Sequence, residues 1–372
     1  MTASLNAKLA TVEWGEYRLG DLFDHIEQGQ RLKKDDQLPG TIPFVMSGVT
    51  NTGVVGYISN PVASFPSNSI TIDIFGNSFY RNYEYGAGDD TGVYWNENQP
   101  YSSSVLLFMS ATIGKSLYGM FSYGNKLRSS RSLDITVKLP TKNGEIDFDF
   151  MEDFVAELEA QRLAELEAYL QATGLHDYSL TPTEIEALGK FDSIDWGEYR
   201  LGDLFEIKTN PQLDKRNFTF TDVQRFPYFT RTSSSNGIAG YVEHLDDSHL
   251  IPKGCLAVGM IGMQFFYMDK DFYAGQFTKR AVPKGFALDR YLALFFTSLL
   301  NKFGSVFQSV LVRNFESTFS RQTIKLPTKN DEIDFDFIST FITAIQKLVI
   351  KDVVDYADRK IAATRTVIKS HA

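Results

Sequence analysis

The chain has 372 residues, 43% of them hydrophobic and 22% charged, with a formal net charge of −9. That balance fits a soluble globular protein of two or three domains. Its single cysteine, Cys255, excludes a disulfide framework or a thiolate zinc site within the chain and suits a reducing cytoplasm. The opening MTASLNAKLATVEW lacks the basic start and apolar run of a signal peptide. No apolar run approaches the roughly 18 residues of a membrane span, so the expectation is a cytoplasmic protein with no membrane partner.

Residues 1–13 read as a weakly ordered lead or one turn of helix. Trp14 to Phe23, WGEYRLGDLF, sets Tyr17, Leu19, Leu22 and Phe23 around a Gly-Asp pair, which predicts a strand and a turn. The same ten residues return unchanged from Trp196 to Phe205. A second block behaves alike. Lys138 to Phe150, KLPTKNGEIDFDF, recurs as Lys325 to Phe337, KLPTKNDEIDFDF, differing only in Gly144 against Asp331. The chain is two copies of one unit. Between the blocks the copies diverge, so a constant frame holds variable contents.

In the first copy, residues 24–137 predict short strands broken by turns. Ile42 to Val45 is apolar, residues 47–53 form a polar loop with glycine, and Val54 to Ile58 is a strand. Ser69 to Phe75 alternates as a half-buried strand does. Val105 to Ile113 suits a short helix or a strand. From Phe148 the period becomes helical, with Met151, Phe154, Val155, Leu158, Leu166, Tyr169 and Leu170 at three- and four-residue steps and Gly174 as a stop. Thr181-Pro182-Thr183-Glu184 opens a short helix through Leu188. The second copy repeats this plan: a strand at Phe226 to Phe229, a polar loop from Arg231 to Gly237, a strand from Cys255, and a helix from Tyr291 to Leu300. A last helix runs from about Phe335 to Ile368.

The fold class is α+β: two similar mixed α/β domains separated by an antiparallel two-helix coiled-coil spacer with pseudo-two-fold symmetry. Pairing the two long helices would bury both of their apolar stripes. The boundaries are 1–147 for the first domain, 148–195 for the first spacer helix and a short linker helix, 196–334 for the second domain and 335–372 for the second spacer helix. A helix of about 25 residues spans roughly 38 Å, close to one turn of DNA at about 34–36 Å.

Catalytic signatures are missing. No G-x-G-x-x-G follows a strand, and there is no G-x-x-x-x-G-K-[ST] loop. His25, His176, His244, His249 and His371 are scattered; His244 and His249 read as loop residues rather than a metal pair. Asp203, Glu206 and Lys208 are too tightly spaced for the metal-binding strands of a nuclease, and Cys255 reads as a buried thiol. The polar loops carry more information. Ser47, Thr50, Asn51 and Thr52 in one copy match Arg231, Thr232, Ser233, Ser234, Ser235 and Asn236 in the other, and such side chains can address base edges and phosphates. A second pair of loops sets Asn77, Ser78, Tyr80 and Arg81 against Gln264 and Lys270. Lys126, Arg128 and Arg131 form a basic cluster in the first copy; Gln276, Lys279 and Arg280 extend the set in the second. Taken singly, each is equally an ordinary solvated residue. Charge is uneven: residues 145–195 hold 14 acidic residues against Arg162 and Lys190, so that stretch suits a protein partner better than phosphates.

The duplicated order is Trp-x-x-Tyr-x-Leu-Gly-Asp-Leu-Phe, an apolar-Pro-aromatic strand, a polar loop closing in Gly-x-x-Gly-Tyr, then x-Leu-Pro and a long helix. It resembles the specificity (S) subunits of type I restriction–modification systems and the similar S subunits of type IIB systems. The resemblance covers almost the whole chain. It implies that each variable segment is a target recognition domain reading one half of a bipartite, asymmetric sequence in double-stranded DNA. It implies a non-catalytic chain with no cofactor of its own. DNA adenine methyltransferase (M) subunits would dock on the spacer and bring S-adenosylmethionine. A restriction subunit or an M–nuclease fusion would add Mg2+ in a complex that cuts. Two other readings fit the same residues: a duplicated scaffold for protein or glycan, and a DNA-acting enzyme in its own right.

Overall fold

The computed structural model describes residues 3–60, 62 and 64–370; Met1, Thr2, Pro61, Ala63, His371 and Ala372 lie outside it. The chain divides into two compact units, Met1–Ala168 and Tyr169–Ala372. No helix among the described residues is long and apolar enough to cross a membrane.

The first unit runs α1 (Ala3–Thr11), β1 (Glu13–Arg18), α2 (Leu19–Leu22), β2 (His25–Gln28), β3 (Pro39–Val45), β4 (Val54–Ile58), β5 (Ser64–Phe65), β6 (Ser69–Asp73), β7 (Ser78–Arg81), β8 (Tyr85–Ala87), β9 (Thr91–Trp95), α3 (Ser103–Leu117), α4 (Ser129–Ser132), β10 (Thr136–Lys142), β11 (Glu145–Ile146) and α5 (Phe148–Thr173). The second runs α6 (Pro182–Lys190), β12 (Asp195–Arg200), α7 (Leu201–Leu204), β13 (Phe205–Thr209), β14 (Phe220–Thr221), β15 (Phe226–Phe229), β16 (Ile238–Val242), β17 (Cys255–Gly259), β18 (Phe265–Met268), β19 (Tyr273–Ala274), β20 (Thr278–Pro283), α8 (Arg290–Leu300), α9 (Gly304–Arg321), β21 (Thr323–Lys329), β22 (Glu332–Ile333) and α10 (Phe335–Ser370).

The repeated blocks are strand partners. β1 pairs antiparallel with β10, Trp14 opposite Pro140 and Tyr17 opposite Val137; β12 pairs with β21, Trp196 opposite Pro327 and Tyr199 opposite Ile324. Each unit is thus closed by a clasp made from its own beginning and end. Gly15 is fixed by this pairing: a Cβ there would strike Thr141 and Tyr17, whose hydroxyls lie 3.1 Å apart. Gly197 meets Thr328 and Tyr199 in the same way. The clasp also starts the long helices. Asp147 Oδ1 accepts from Phe150 N at 2.9 Å, and Asp334 Oδ1 accepts from Phe337 N at 2.9 Å, each satisfying a free amide in the first turn. Gly174, at φ +69°, ends α5.

Inside each clasp sit two four-stranded sheets. In the first unit their orders are β2-β9-β6-β7 and β4-β3-β8-β5; in the second, β13-β20-β17-β18 and β14-β16-β15-β19. The parallel pair β3–β8 recurs as β15–β19. Ile70 and Ile72 of β6 join the main core beneath α3, and Leu256 and Val258 of β17 do so in the second unit.

Three elements depart from the sequence reading, and a fourth decides between its alternatives. The lead is a nine-residue helix, α1, with Leu5 fully buried. β6 alternates as expected but is buried on both faces, because Ser69 and Thr71 are covered in turn: Ser69 Oγ bonds Tyr85 Oη at 2.8 Å and Thr71 Oγ1 accepts from Arg81. Residues 103–117 resolve as a helix capped by Ser102, whose Oγ accepts from Val105 N. The 18-residue α9 was not anticipated; Phe307, Phe315 and Phe319 are fully buried on it and gather around Phe265.

Candidate nucleic-acid interface

In the first unit the β3–β4 connection, residues 46–53, is stapled down by polar groups. Ser47 Oγ donates to Asp90 Oδ2 at 2.8 Å, and Gly48 N donates to Asp73 Oδ2 at 2.9 Å. Asp73 also accepts from the backbone amides of Phe75 and Asn77 and from Asn77 Nδ2. At the far side of the loop, Arg81 Nη1 donates to Thr52 Oγ1 at 3.1 Å and Nη2 to Thr52 O. Between these staples Thr50, Asn51 and Thr52 are exposed. Asn51 and Thr52 are held at φ +47° and +51°, a costly conformation for a β-branched residue.

The second unit builds the same turn from different residues. Ser235 and Asn236 take φ +50° and +54°. Gly237 follows at φ +78°, where a Cβ would collide with the Phe229 ring. Gly259 stands where the first unit has Asp73, and a Cβ there would lie 2.7 Å from Arg231 Cα; the loop closes by packing instead of through a carboxylate. Arg231 lies 5.6 Å from the centroid of the Phe277 ring. Phe277 is tied in through its amide to Gln212 Oε1 and its carbonyl to Met260 N. Arg231, Thr232, Ser233, Ser234, Ser235, Asn236, Gln264 and Gln276 are all exposed around this junction. Two copies thus hold one strained, solvent-facing turn by unrelated contacts. Backbone strain of this kind concentrates where a surface has a task.

Several sequence candidates do something else. Residues 77–82 and 264–270 are not free loops: Ser78–Arg81 is β7 itself and Phe265–Met268 is β18 itself. Arg81 is 1% exposed, and Thr71, Tyr83 and Thr52 take its donors; as a phosphate contact it is corrected to a buried support for the loop. Lys279 is likewise buried, between Thr209 Oγ1 at 2.8 Å and Glu316 Oε1 at 2.7 Å, so it is corrected to a covered lysine paired with the exposed Glu316. Asn77 is spent on Asp73, the Ser78 hydroxyl is buried, and Tyr80 donates to Asn68 at 3.1 Å. Arg280 donates to Asn210 Oδ1 at 2.8 Å. Lys270 sits at the opposite end of β18 from Gln264, donating to Gln224 O. Arg128 and Arg131 remain exposed, Arg128 donating to Asp89 O.

The carboxylates of Asp73 and Asp90 escaped the sequence reading because their partners lie 25 and 43 residues away. A further basic loop also escaped it. Arg31, Lys33 and Lys34 follow β2, and Lys215 and Arg216 follow β13, all exposed. Both loops begin against the parallel pair, Gln30 N donating to Ala87 O and Leu213 N to Ala274 O. Their shared position in the two copies was the available signal. His244 and His249 are each engaged by an aspartate three residues or fewer away, Asp247 and Asp246. Burial pushes the Cys255 thiol up to about 12, with Arg280 nearby offsetting only part of the effect. It is a packing residue.

A family model described as the type I restriction modification DNA specificity domain matches residues 11–168 and again 193–355. Over 155 residues the chain is 32% identical to the type II restriction enzyme BgcI specificity subunit S.BcgI of Heyndrickxia coagulans, a match covering 41% of this chain and 45% of that relative's length. The fold is similar to the crystal structure of a type I restriction–modification S subunit from M. genitalium, with a TM-score of 0.54 at 12% identity over 97% of this chain and 95% of the other.

Proposed function

Since the chain belongs to the type I restriction modification DNA specificity domain family, matched once by each copy of its repeat, we propose that each unit reads one half of a bipartite DNA target and that the chain itself catalyses nothing. One observation carries this: a nearly unchanged clasp frames two turns of the same strained geometry whose side chains differ. Loops held on rigid strands can present different groups to base edges without altering the scaffold. Exposed cations on the loops that begin against the parallel pairs, Arg31, Lys33 and Lys34 in one unit and Lys215 and Arg216 in the other, set register on phosphates. Because the two loop sets differ, the target has two unlike halves around an unread gap.

The long helices α5 and α10 set that gap and dock the methyltransferase subunits. The acidic 145–195 stretch favours a protein partner over DNA, and Leu348, Val349 and Tyr356 of α10 are exposed apolar side chains suited to one. S-adenosylmethionine, and Mg2+ where the complex cuts, belong to those partners, which act on DNA in the cytoplasm.

The test is to co-express the chain with a DNA adenine methyltransferase subunit of the same system and select bound duplexes from a random pool. Two dissimilar half-sites at fixed spacing are expected, with adenine methylation requiring both polypeptides. A palindromic consensus, methylation or cleavage by the isolated chain, or no enrichment at all would overturn the proposal.

A further inference from the structure

The chain leaving α3 makes a compact projection. Ser122 and Asn125 exchange backbone hydrogen bonds at 3.1 and 3.0 Å, leaving Tyr123-Gly124 as a two-residue tip, and Asn125 Nδ2 ties back to Met120 O at 3.3 Å. Its foot is fixed: Leu117 and Leu127 are buried, and Phe121 packs on the core. Its outer side chains are not. Tyr118 is 89% exposed, Tyr123 82% and Met120 52%. Three large apolar groups within six residues are held in water by a well-tied scaffold, which contributes nothing to the fold and marks a surface for contact.

The projection stands beside the turn that pins the β3–β4 loop. Leu127 N donates to Ile74 O at 2.9 Å, and Gly76 lies against Leu117 and Phe121; Asp73, at the start of that turn, holds Gly48. Cations flank it. Lys126 Nζ sits 4.2 Å from the centroid of the Tyr123 ring, and Arg128 and Arg131 are exposed just beyond. In the second unit the chain leaving α8 passes within four residues into α9, and no such tip forms there.

We propose that this hairpin is a wedge that enters duplex DNA at a base step, Tyr118, Met120 and Tyr123 partly unstacking the bases while Lys126, Arg128 and Arg131 meet the adjoining phosphates. The inference rests on the DNA-reading role above and adds a deformation confined to one half-site. Apolar side chains are the usual agents of such unstacking, and an aromatic ring recovers part of the cost by stacking on a base. A tip already fixed by its own hydrogen bonds loses little freedom on entry.

The experiment uses the full chain with its methyltransferase and the duplex that the wild-type complex selects. Permanganate and diethyl pyrocarbonate report unstacked thymines and purines. Besides the positions opened where the methyltransferase flips its target adenines, the wild-type complex is expected to expose one further step, in a single half-site. The Tyr118→Ala, Met120→Ala, Tyr123→Ala triple variant is expected to abolish that reactivity and weaken binding by about tenfold or more, with its thermal midpoint unchanged. Met120→Leu with Tyr123→Phe should restore both. A wild-type complex whose only unstacked positions are those of the target adenines overturns the wedge but leaves sequence reading intact. So does a triple variant that binds and unstacks normally, or one that keeps DNA yet loses the methyltransferase, which would make the tip a protein contact. Failure of the wild-type complex to select any duplex removes both proposals together.

Discussion

Arg81 shows how far a single buried residue can govern a loop. Its guanidinium reaches Thr52, Thr71 and Tyr83 while lying 5.4 Å from the Phe79 ring centroid. The second unit places Met268 at the equivalent register position, opposite Cys255 as Arg81 lies opposite Ser69. Arg81→Met leaves the Thr52 carbonyl without its donor and is expected to cost about 2–4 kcal/mol in urea unfolding. It should also blur base preference in one half-site only. Arg81→Lys should not rescue it, because an ammonium cannot reproduce the planar fork. A smaller effect of opposite sign belongs to Asp331. The β10–β11 turn sets Asn143 and Gly144 at φ +54° and +84°; the β21–β22 turn sets Asn330 and Asp331 at +54° and +65°. Both positions are left-handed, as a two-residue hairpin of this type requires. Asp331→Gly is expected to stabilise by up to about 1 kcal/mol, and Gly144→Asp to lose a similar amount, both read as shifts in urea midpoint.

At the scale of elements, each lead helix is joined to the long helix of its own unit by an ion pair, with the charges reversed. Lys8 of α1 meets Glu157 of α5, and Glu184 of α6 meets Lys347 of α10 at 2.9 Å. Their surroundings differ: in the first pair Lys8 is 45% and Glu157 37% exposed, in the second Glu184 is 8% and Lys347 19% exposed. Burial alone would raise the Glu184 carboxyl. The Thr181 amide and Lys347 more than offset it and hold the group below the usual carboxylate range. Its folded value is depressed, so its contribution is present above the unfolded value and fades as pH falls through the folded one. Glu184→Ala removes this pair and half of a capping box with Thr181. It is expected to cost about 2–3 kcal/mol near pH 7, with the difference from wild type shrinking in acid melts. Lys8→Ala should leave the unfolding midpoint nearly unmoved. The helices α5, α6, α8 and α10 were legible because their apolar spacing and cap residues agree. α9 was not: GSVFQSVLVRNFESTFSR starts without a side-chain cap, and its aromatic face shows only against Phe265, some forty residues earlier. The loop turn was visible as a polar insert in both copies. Its strain was not, since Asn51-Thr52 and Ser235-Asn236 share no residue in register. Local pattern reports periodicity and turn chemistry; it cannot report which distant carboxylate or ring holds a loop in place.

For the whole molecule, the clasp has a consequence that the loops lack. Its two strands come almost wholly from the blocks that the copies share; only Glu13, Thr136 and Val137, matched by Asp195, Thr323 and Ile324, lie outside them, and each has a counterpart in register. Everything between Phe23 and Lys138 is therefore interchangeable with everything between Phe205 and Lys325 without breaking a strand pair of the frame. Each core takes in the shared frame and the long helix of its unit, Met151, Phe154 and Val155 of α5 in the first and Ile338 of α10 in the second, so an exchanged segment keeps most of its packing and must refit only against that helix. Replacing residues 206–324 by a second copy of 24–137 should give a chain that folds, assembles with the same methyltransferase and methylates a target whose two halves carry the same bases. Sequencing of methylated DNA from cells expressing the graft would read this directly, and whether those halves run in the same or opposite directions would report the relative orientation of the readers on the duplex. The reciprocal graft, 206–324 in place of 24–137, should duplicate the other half-site and lose the unstacked step beyond the target adenines, because it carries no Tyr123 tip. A graft that folds and methylates yet still recognises two unlike halves would mean that the bases are read outside the exchanged segments, and would transfer specificity from the loops to the frame.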